Sequence, residues 1–220
     1  MYALTGDVLD VDQKLGNEMA DVIAQVIRLA EYESMALFYL VRHGEPTYDH
    51  MLENGFWGFG RDFAPLTEKG KQQAKMTAKD IRLKDAEIIV SSPYTRALQT
   101  AQIISRETGI PVEVEIALHE WMPDQENLYK TSEESFASAR EFTKFHGEYP
   151  PGEKYKWESL SHMRQRVREV ADKYSDYEKV VFVGHGMVFR CLTYIEKIQP
   201  GEIVECRYQR GQADCEYSFM

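Results

Sequence analysis

The chain has 220 residues, of which 43% are hydrophobic and 28% are charged, and its formal net charge is -10. This length and composition fit one globular α/β domain with a short extension. The negative charge disfavours nucleic acid as a partner, and no apolar run is long enough to cross a membrane.

The first 34 residues differ in pattern from the rest of the chain. Apolar residues recur there at helical spacing: Leu15, Met19, Val22, Val26 and Ala30. This pattern predicts an amphipathic helix, whose apolar face needs a partner surface. We therefore expect residues 1–34 to form a helical extension that packs on another surface or contributes to a homodimer, and residues 35–220 to form the main domain.

Strands and helices alternate in the main domain. The predicted strands are 36–41, 86–90, 111–115 and 179–184. The predicted helices run from Thr67 to about Leu83, from Pro93 to about Thr108, over 132–145, over 159–177 and from Gly186 to Lys197, and the tail suggests a hairpin with Gly211 in its turn. This alternation predicts a three-layer α/β/α sandwich with a mostly parallel central sheet.

Polar side chains collect where the predicted strands end. They are Arg42 and His43 after the first strand, Arg96 beyond the second, Glu120 after the third and His185 after the fourth. In open α/β sheets, ligands bind outside the carboxyl ends of the strands. Each of the two histidines is followed by glycine, which lets a ligand approach the backbone closely.

Two arginines, two histidines and one carboxylic acid suit phosphoryl transfer. The arginines can hold the oxygens of a phosphoryl group. One imidazole, neutral, can attack phosphorus, and the other, protonated, can stabilise the developing charge. The acid can protonate the leaving oxygen and later take a proton from water. Because these groups supply the positive charge, we expect neither a metal nor another cofactor, and the histidine spacing does not suit a metal site.

Four motifs in register resemble the histidine phosphatase superfamily, whose fold is phosphoglycerate-mutase-like. They are "RHGE" at 42–45, "LTEKG" at 66–70, "SSPYTRALQTA" at 91–101 and "GHG" at 184–186. The resemblance extends from about residue 36 to about residue 192. It implies the following roles: His43 as nucleophile, His185 opposite it, Arg42 and Arg96 as phosphate ligands, and Glu120 as general acid with Asp124 as the alternative.

Two further residues bear on phosphate binding. Where members of the family often have an asparagine that touches phosphate, this chain has Asp49, whose carboxylate would repel an anion unless it points away. Arg61 lies in the loop after the first strand, and we expect it to be an extra anion contact.

These observations predict a phosphatase: a metal-independent phosphomonoester hydrolase that acts on a small phosphorylated molecule through a phosphohistidine. One alternative is a phosphoglycerate mutase, although the chain reads "LHEWMPD" at 118–124 where mutases resemble "LNERHYG". Another is a non-catalytic protein that binds a phospholigand, which Asp49 and the helical extension suggest. The absence of a basic N-terminal segment and the three cysteines predict a cytoplasmic protein without a signal peptide.

Overall fold

The computed structural model describes residues 6–33, 35–213 and 215. The chain divides into two compact units, residues 1–35 and 36–220. The first unit contains helix α1 (Gly6–Glu33), so the predicted amphipathic helix is present. Among the side chains of α1 that the structure describes, seven large apolar ones are exposed: Met19, Val22, Ile23, Val26, Ile27, Leu29 and Tyr32. The packing or homodimer role expected of this helix stays a prediction.

The second unit alternates strands and helices along the chain. Its strands are β1 (Ala36–Arg42), β2 (Ile88–Ser91), β3 (Val112–Val114), β4 (Lys179–Gly184) and β5 (Ile203–Tyr208). Its α-helices are α2 (Asp49–Asn54), α3 (Glu68–Thr77), α4 (Thr95–Thr108), α5 (Ser132–Lys144), α6 (Leu160–Lys173) and α7 (Gly186–Arg190). Short 3-10 helices cover Gly58–Phe63, Ile81–Leu83 and Ile116–Leu118.

The strands of the described residues form one sheet in the order β3-β2-β4-β1-β5. Neighbouring strands are parallel except for β5, which runs antiparallel to β1. The predicted α/β fold with a mostly parallel sheet is therefore confirmed. The hairpin predicted for the tail stays a prediction: β5 pairs with β1 on one edge, and most of the segment that would form the second hairpin strand lies outside the described residues. Gly211 does lie in a turn, while residues 214 and 216–220 lie outside the described residues.

Successive residues of the central strands enter two different cores, as expected of a sheet covered on both faces. In β1, Phe38 and Leu40 pack in a core that includes much of α6. Tyr39 and Val41 pack in a second core with the apolar side of α4. The sheet is thus held between helices, and its carboxyl edge is left to carry the functional groups.

Helix starts agree with the predicted caps better than helix ends do. Thr67 accepts a hydrogen bond from the Gly70 amide at the start of α3, but α3 ends at Thr77, before the predicted Leu83. The predicted helix from Gly186 to Lys197 is also too long. Helix α7 ends at Arg190, whose side chain donates to the carbonyl oxygens of Ile195 and Glu196 and so stabilises a turn.

Residues 43–66, predicted as a loop, contain α2 and a 3-10 helix. None of the described helices is both long enough and apolar enough to cross a membrane.

Candidate active site

Three neighbouring strands bring the predicted histidines together. Strands β2, β4 and β1 are adjacent and parallel, and Arg42 is in register with Gly184. The residues that follow these strands therefore emerge at the same edge. The imidazole ring centroids of His43 and His185 are 5.2 Å apart.

His43 has the properties of a nucleophile. Its Nδ1 lies 2.7 Å from the Gly44 carbonyl oxygen, which can only accept, so Nδ1 carries the proton. Its Nε2 is therefore unprotonated, and the Nε2 lone pair accepts a hydrogen bond from Arg96 Nε at 3.2 Å. Burial and the nearby Arg96 charge lower the pKa of His43 to about 3. The ring is neutral at pH 7, as attack on phosphorus requires.

His185 is completely buried beside the nucleophile. Its Nε2 lies 2.7 Å from the Ser92 hydroxyl oxygen, and its ring packs against the Tyr94 ring at 5.2 Å. Burial, followed by the charge of Arg96, lowers the pKa of His185 well below its usual value. The protonated second imidazole, which is expected during phosphoryl transfer, stays a prediction. A bound phosphoryl dianion would favour protonation again.

Arg96 lies at the centre of the site. It is in the first turn of α4, is 5% exposed, and its Nη1 donates to the Arg61 carbonyl oxygen at 3.4 Å. Its guanidinium also lies over the Tyr94 ring, 4.9 Å from the centroid. The buried cation thus sits next to His43 Nε2, where the phosphoryl group would be attacked.

Arg42 is placed less directly. Its Nη1 donates to the Ile198 carbonyl oxygen at 2.6 Å, and Arg42 does not line the cavity described below. Its Nε is buried and has no hydrogen-bond partner among the described residues. An unpaired buried guanidinium N–H is costly, and an anion oxygen would satisfy it. The phosphate-binding role of Arg42 stays a prediction.

A cavity of about 240 Å³ opens beside Arg96, beneath two chain segments, 44–66 and 119–157, that we call the roof. Three predicted residues line it together: Arg61, Arg96 and Glu120. The other lining residues are Asp62, Tyr94, Trp121, Met122, Pro123, Asn127, Tyr129, Ser135, Phe136, Ala139 and Met187. Two larger depressions, of about 580 and 530 Å³, contain none of the predicted site residues.

The structure separates the two candidates for general acid. Glu120 lines the cavity, and its Oε1 accepts a hydrogen bond from the Trp121 amide at 2.9 Å. Asp124 is 4% exposed, and its carboxylate accepts from the amides of Glu126 and Leu128. Asp124 is thus committed to its own loop, which favours Glu120 as the acid.

Arg166 anchors the segment that carries Glu120, and the sequence analysis did not single it out. From α6 it donates to the carbonyl oxygens of Ala117 and His119, the latter at 2.8 Å. It also forms a bidentate pair with Glu158, at 2.6 and 2.8 Å. In the sequence, Arg166 falls among the apolar residues on one face of the predicted helix 159–177. A charged side chain on such a face is buried only when it has partners, and this pattern could have identified Arg166.

Asp62 is a second residue whose place in the site was missed. It lines the cavity, and burial raises its pKa to about 6 against the opposing effects of Arg96, Tyr94 and Arg61.

Asp49, by contrast, is exposed, and its carboxylate accepts a hydrogen bond from the Thr47 hydroxyl at 2.9 Å. Asp49 therefore lies away from the cavity.

Gly44 is required for a different reason from the one expected. A Cβ atom at Gly44 would lie 2.4 Å from the Gly70 carbonyl oxygen, so the backbone of α3 passes directly over this position. At Gly186 a Cβ atom would meet only Ile198, at 3.8 Å. The glycine after His43 permits backbone packing, which in turn fixes the position of His43.

In the described part of the chain, no group of three or more His, Cys, Asp or Glu is placed to hold a metal ion.

Comparison with known proteins agrees with this geometry. The family model described as histidine phosphatase superfamily (branch 1) matches residues 38–212. The chain belongs to the histidine phosphatase superfamily. The match spans β1 to β5 and includes each predicted site residue.

The similar curated members of the superfamily are named as mutases. The chain is 31% identical to the probable phosphoglycerate mutase GpmB of Erwinia tasmaniensis, with 72% of this chain and 73% of that protein covered. It is 30% identical to the 2,3-bisphosphoglycerate-dependent phosphoglycerate mutase of Cytophaga hutchinsonii, with 80% and 85% covered.

Solved structures that share the fold include a protein named as a phosphatase. The mycobacterial glucosyl-3-phosphoglycerate phosphatase has a TM-score of 0.55 at 23% identity, with 70% of this chain and 76% of that chain covered. YhfR of Bacillus stearothermophilus has a TM-score of 0.52 at 28% identity, with the same coverage. The names found thus include both phosphatases and mutases, and the choice between these activities depends on the site itself.

Proposed function

We propose that the chain is a phosphomonoester hydrolase that works through a phosphohistidine at His43. The observation that carries this proposal is the state of His43: a buried, neutral ring whose Nε2 lone pair faces the buried Arg96 guanidinium. A nucleophile and a cation that could hold the phosphoryl oxygens thereby meet at one point.

The reaction would proceed in two balanced steps. In the first, the His43 Nε2 lone pair forms a bond to phosphorus, the bond from phosphorus to the ester oxygen breaks, and the carboxylic acid of Glu120 gives its proton to that oxygen. In the second, the Glu120 carboxylate takes a proton from water, the water oxygen bonds to phosphorus, and the N–P electron pair returns to Nε2. Arginine and imidazole N–H groups stabilise the phosphoryl charge throughout, so no metal is needed.

The charges around the cavity favour water over phosphoglycerate as the acceptor. A mutase must hold the carboxylate of phosphoglycerate as well as the phosphate. Beyond Arg96, the described lining residues supply one further cation, Arg61, and the carboxyl groups of Asp62 and Glu120 lie in the same cavity. A second anion would therefore meet little net attraction. The "LHEWMPD" segment also lacks the mutase pattern.

Two alternatives have specific support. The names of the similar curated relatives favour a mutase. A non-catalytic phospholigand-binding protein has less support, because Arg42, His43, Arg96, Glu120 and His185 are all present. The cytoplasmic location stays a prediction.

The test is to follow where the phosphoryl group goes. The purified full chain is incubated with chelator and p-nitrophenyl phosphate, and acid-labile phosphoenzyme is trapped by rapid quench. In parallel, 3-phosphoglycerate is supplied with 2,3-bisphosphoglycerate. We expect phosphoenzyme and release of phosphate to water. Rapid conversion to 2-phosphoglycerate would establish the mutase instead, and neither turnover nor labelling by a folded protein would support the non-catalytic alternative.

A further inference from the structure

The lining of the cavity includes apolar rings and thioethers. Trp121, Met122, Phe136 and Met187 line it. The indole N–H of Trp121 is already used, because it donates to the Glu158 carbonyl oxygen at 2.8 Å, and its ring packs edge-to-face on Phe142 with centroids 5.1 Å apart. What Trp121 offers to the cavity is therefore a fixed apolar surface. The two methionines add flexible, polarisable contacts that adapt to a ring or a branched chain.

Beyond Arg96, the described lining of the cavity offers the leaving group one cation, Arg61, beside the carboxyl group of Asp62. Its described lining contains two arginines and two carboxyl groups. Arg96 is next to His43, at the place of the phosphoryl group. Arg61 donates to the Ser135 hydroxyl at 3.2 Å and lies over the Tyr48 ring, 5.5 Å from the centroid. A second anionic group on the substrate would thus meet Arg61 together with the opposing carboxyl group of Asp62, with the carboxyl oxygens of Glu120 nearby.

The cavity is also small. Its volume is about 240 Å³. Pockets for drug-sized ligands measure about 300–1,000 Å³. His43 and His185 are not among the lining residues, but Arg96 is, so a phosphoryl group held by Arg96 would take part of this space. The leaving group must then be compact.

We propose that the substrate's leaving group is a compact, uncharged and apolar alcohol or phenol, held against Trp121, Met187 and Phe136. This inference rests on the proposed hydrolase function and names the substrate class of the same site. It sets the chain apart from an enzyme for phosphoglycerates or nucleotides, whose leaving groups are charged or large.

Matched esters test the inference because they differ in one property at a time. Benzyl phosphate and 4-carboxybenzyl phosphate share a ring and an alkyl oxygen but differ by one carboxylate. Glycerol 1-phosphate has an alkyl leaving group of small size without apolar character. We expect kcat/KM for benzyl phosphate to exceed that of each of the other two by about tenfold or more. If either of the others is hydrolysed as well as benzyl phosphate, the inference is overturned while the hydrolase function stands. If no ester is hydrolysed, the proposed function fails and the inference falls with it.

A pair of variants locates the selectivity in the cavity. Phe136 is 56% exposed and lines the cavity, whereas Phe56 is 54% exposed and does not. We expect Phe136→Ser to lower the ratio of kcat/KM for benzyl phosphate over glycerol 1-phosphate by about fivefold, because the variant removes an apolar contact with the ring. Phe56→Ala, matched in residue type and exposure, should leave this ratio unchanged. An unchanged ratio in Phe136→Ser, or an equal change in both variants, would contradict the assignment.

Discussion

The strand-end residues and the roof of the site differ sharply in burial. His43 and His185 are 6% and 0% exposed, whereas Phe59 and Phe136 of the roof are 61% and 56% exposed. His43 is held by a hydrogen bond to the Gly44 carbonyl oxygen and His185 by one to the Ser92 hydroxyl, and each histidine directly follows a strand whose register is fixed by a full ladder. The roof is made of loops, α2, a 3-10 helix and α5, and it combines these exposed rings with buried side chains such as Trp157. The difference indicates that the sheet edge holds the nucleophile and the phosphate-binding groups in place, whereas the roof contacts the leaving group.

Arg166 connects these two regions. It belongs to α6, which packs in the core on one face of the sheet, and it holds the carbonyl oxygens of Ala117 and of His119, the residue before Glu120. Glu120 is a roof residue, yet as general acid it must be positioned as accurately as the strand-end groups. Arg166 fixes its position at the point where the chain leaves the 3-10 helix Ile116–Leu118.

The largest expected effect comes from removing the nucleophile. His43→Asn keeps an N–H that can donate to the Gly44 carbonyl but has no imidazole lone pair. We expect kcat for p-nitrophenyl phosphate to fall by at least about 10⁴-fold, and the phosphoenzyme to disappear, with the circular dichroism spectrum unchanged. The matched control is His146→Asn, because His146 is exposed and has a positive φ of 53°, which asparagine tolerates. Phosphoenzyme that survives in His43→Asn would end the nucleophile assignment.

The second-largest effect is expected from replacing the proposed general acid, which lies in the roof. Glu120→Gln cannot protonate a leaving oxygen, so hydrolysis of alkyl esters should slow by about 10²–10³-fold. Aryl esters, whose leaving groups need little protonation, should slow by less than about tenfold. The comparison of benzyl phosphate with p-nitrophenyl phosphate measures this difference. Asp124→Asn is the control, and a larger alkyl-selective loss there than in Glu120→Gln would move the acid role to Asp124.

A smaller effect is expected when the anchor is weakened. Arg166→Lys keeps the charge but loses the bidentate pair with Glu158 and one or both carbonyl contacts. We expect the alkyl-to-aryl ratio of kcat to fall by about tenfold, measured well below the unfolding temperature of the variant. This ratio distinguishes positioning from stability, because a merely structural role would lower both rates equally. An unchanged ratio in a destabilised variant would show that Arg166 only supports the fold.

Arg166 also illustrates what could be predicted from the sequence. Strands and helix starts follow from local patterns, and Thr67 and Ser159 do cap helices where serine or threonine precedes a helical run. The strand-end residues were predictable because the carboxyl ends of parallel strands meet at one edge, whatever the details of packing.

The other site residues depend on distances that only folding creates. Arg166 reaches carbonyl oxygens 47 and 49 residues away, and no local pattern reports such a contact. Ser92 was within a quoted motif, yet its hydrogen bond to His185 spans 93 residues. The length of helix α7 was overestimated for the same reason. The apolar spacing in the sequence continues past Arg190, but the Arg190 side chain donates to the Ile195 carbonyl oxygen and stabilises a turn there.

The smallest expected effect concerns pH. Asp62 has a pKa raised to about 6, so it loses its proton between pH 5 and 7, and the new charge opposes binding of a phosphate dianion. His43, with a pKa of about 3, is already neutral over this range and adds no change. The quotient of kcat/KM for Asp62→Asn over wild type should therefore rise severalfold, about threefold to tenfold, from pH 5 to pH 7. Ionisation of the substrate is common to both proteins and cancels in the quotient. A flat quotient would mean that Asp62 is too far from the phosphoryl group for its charge to affect binding.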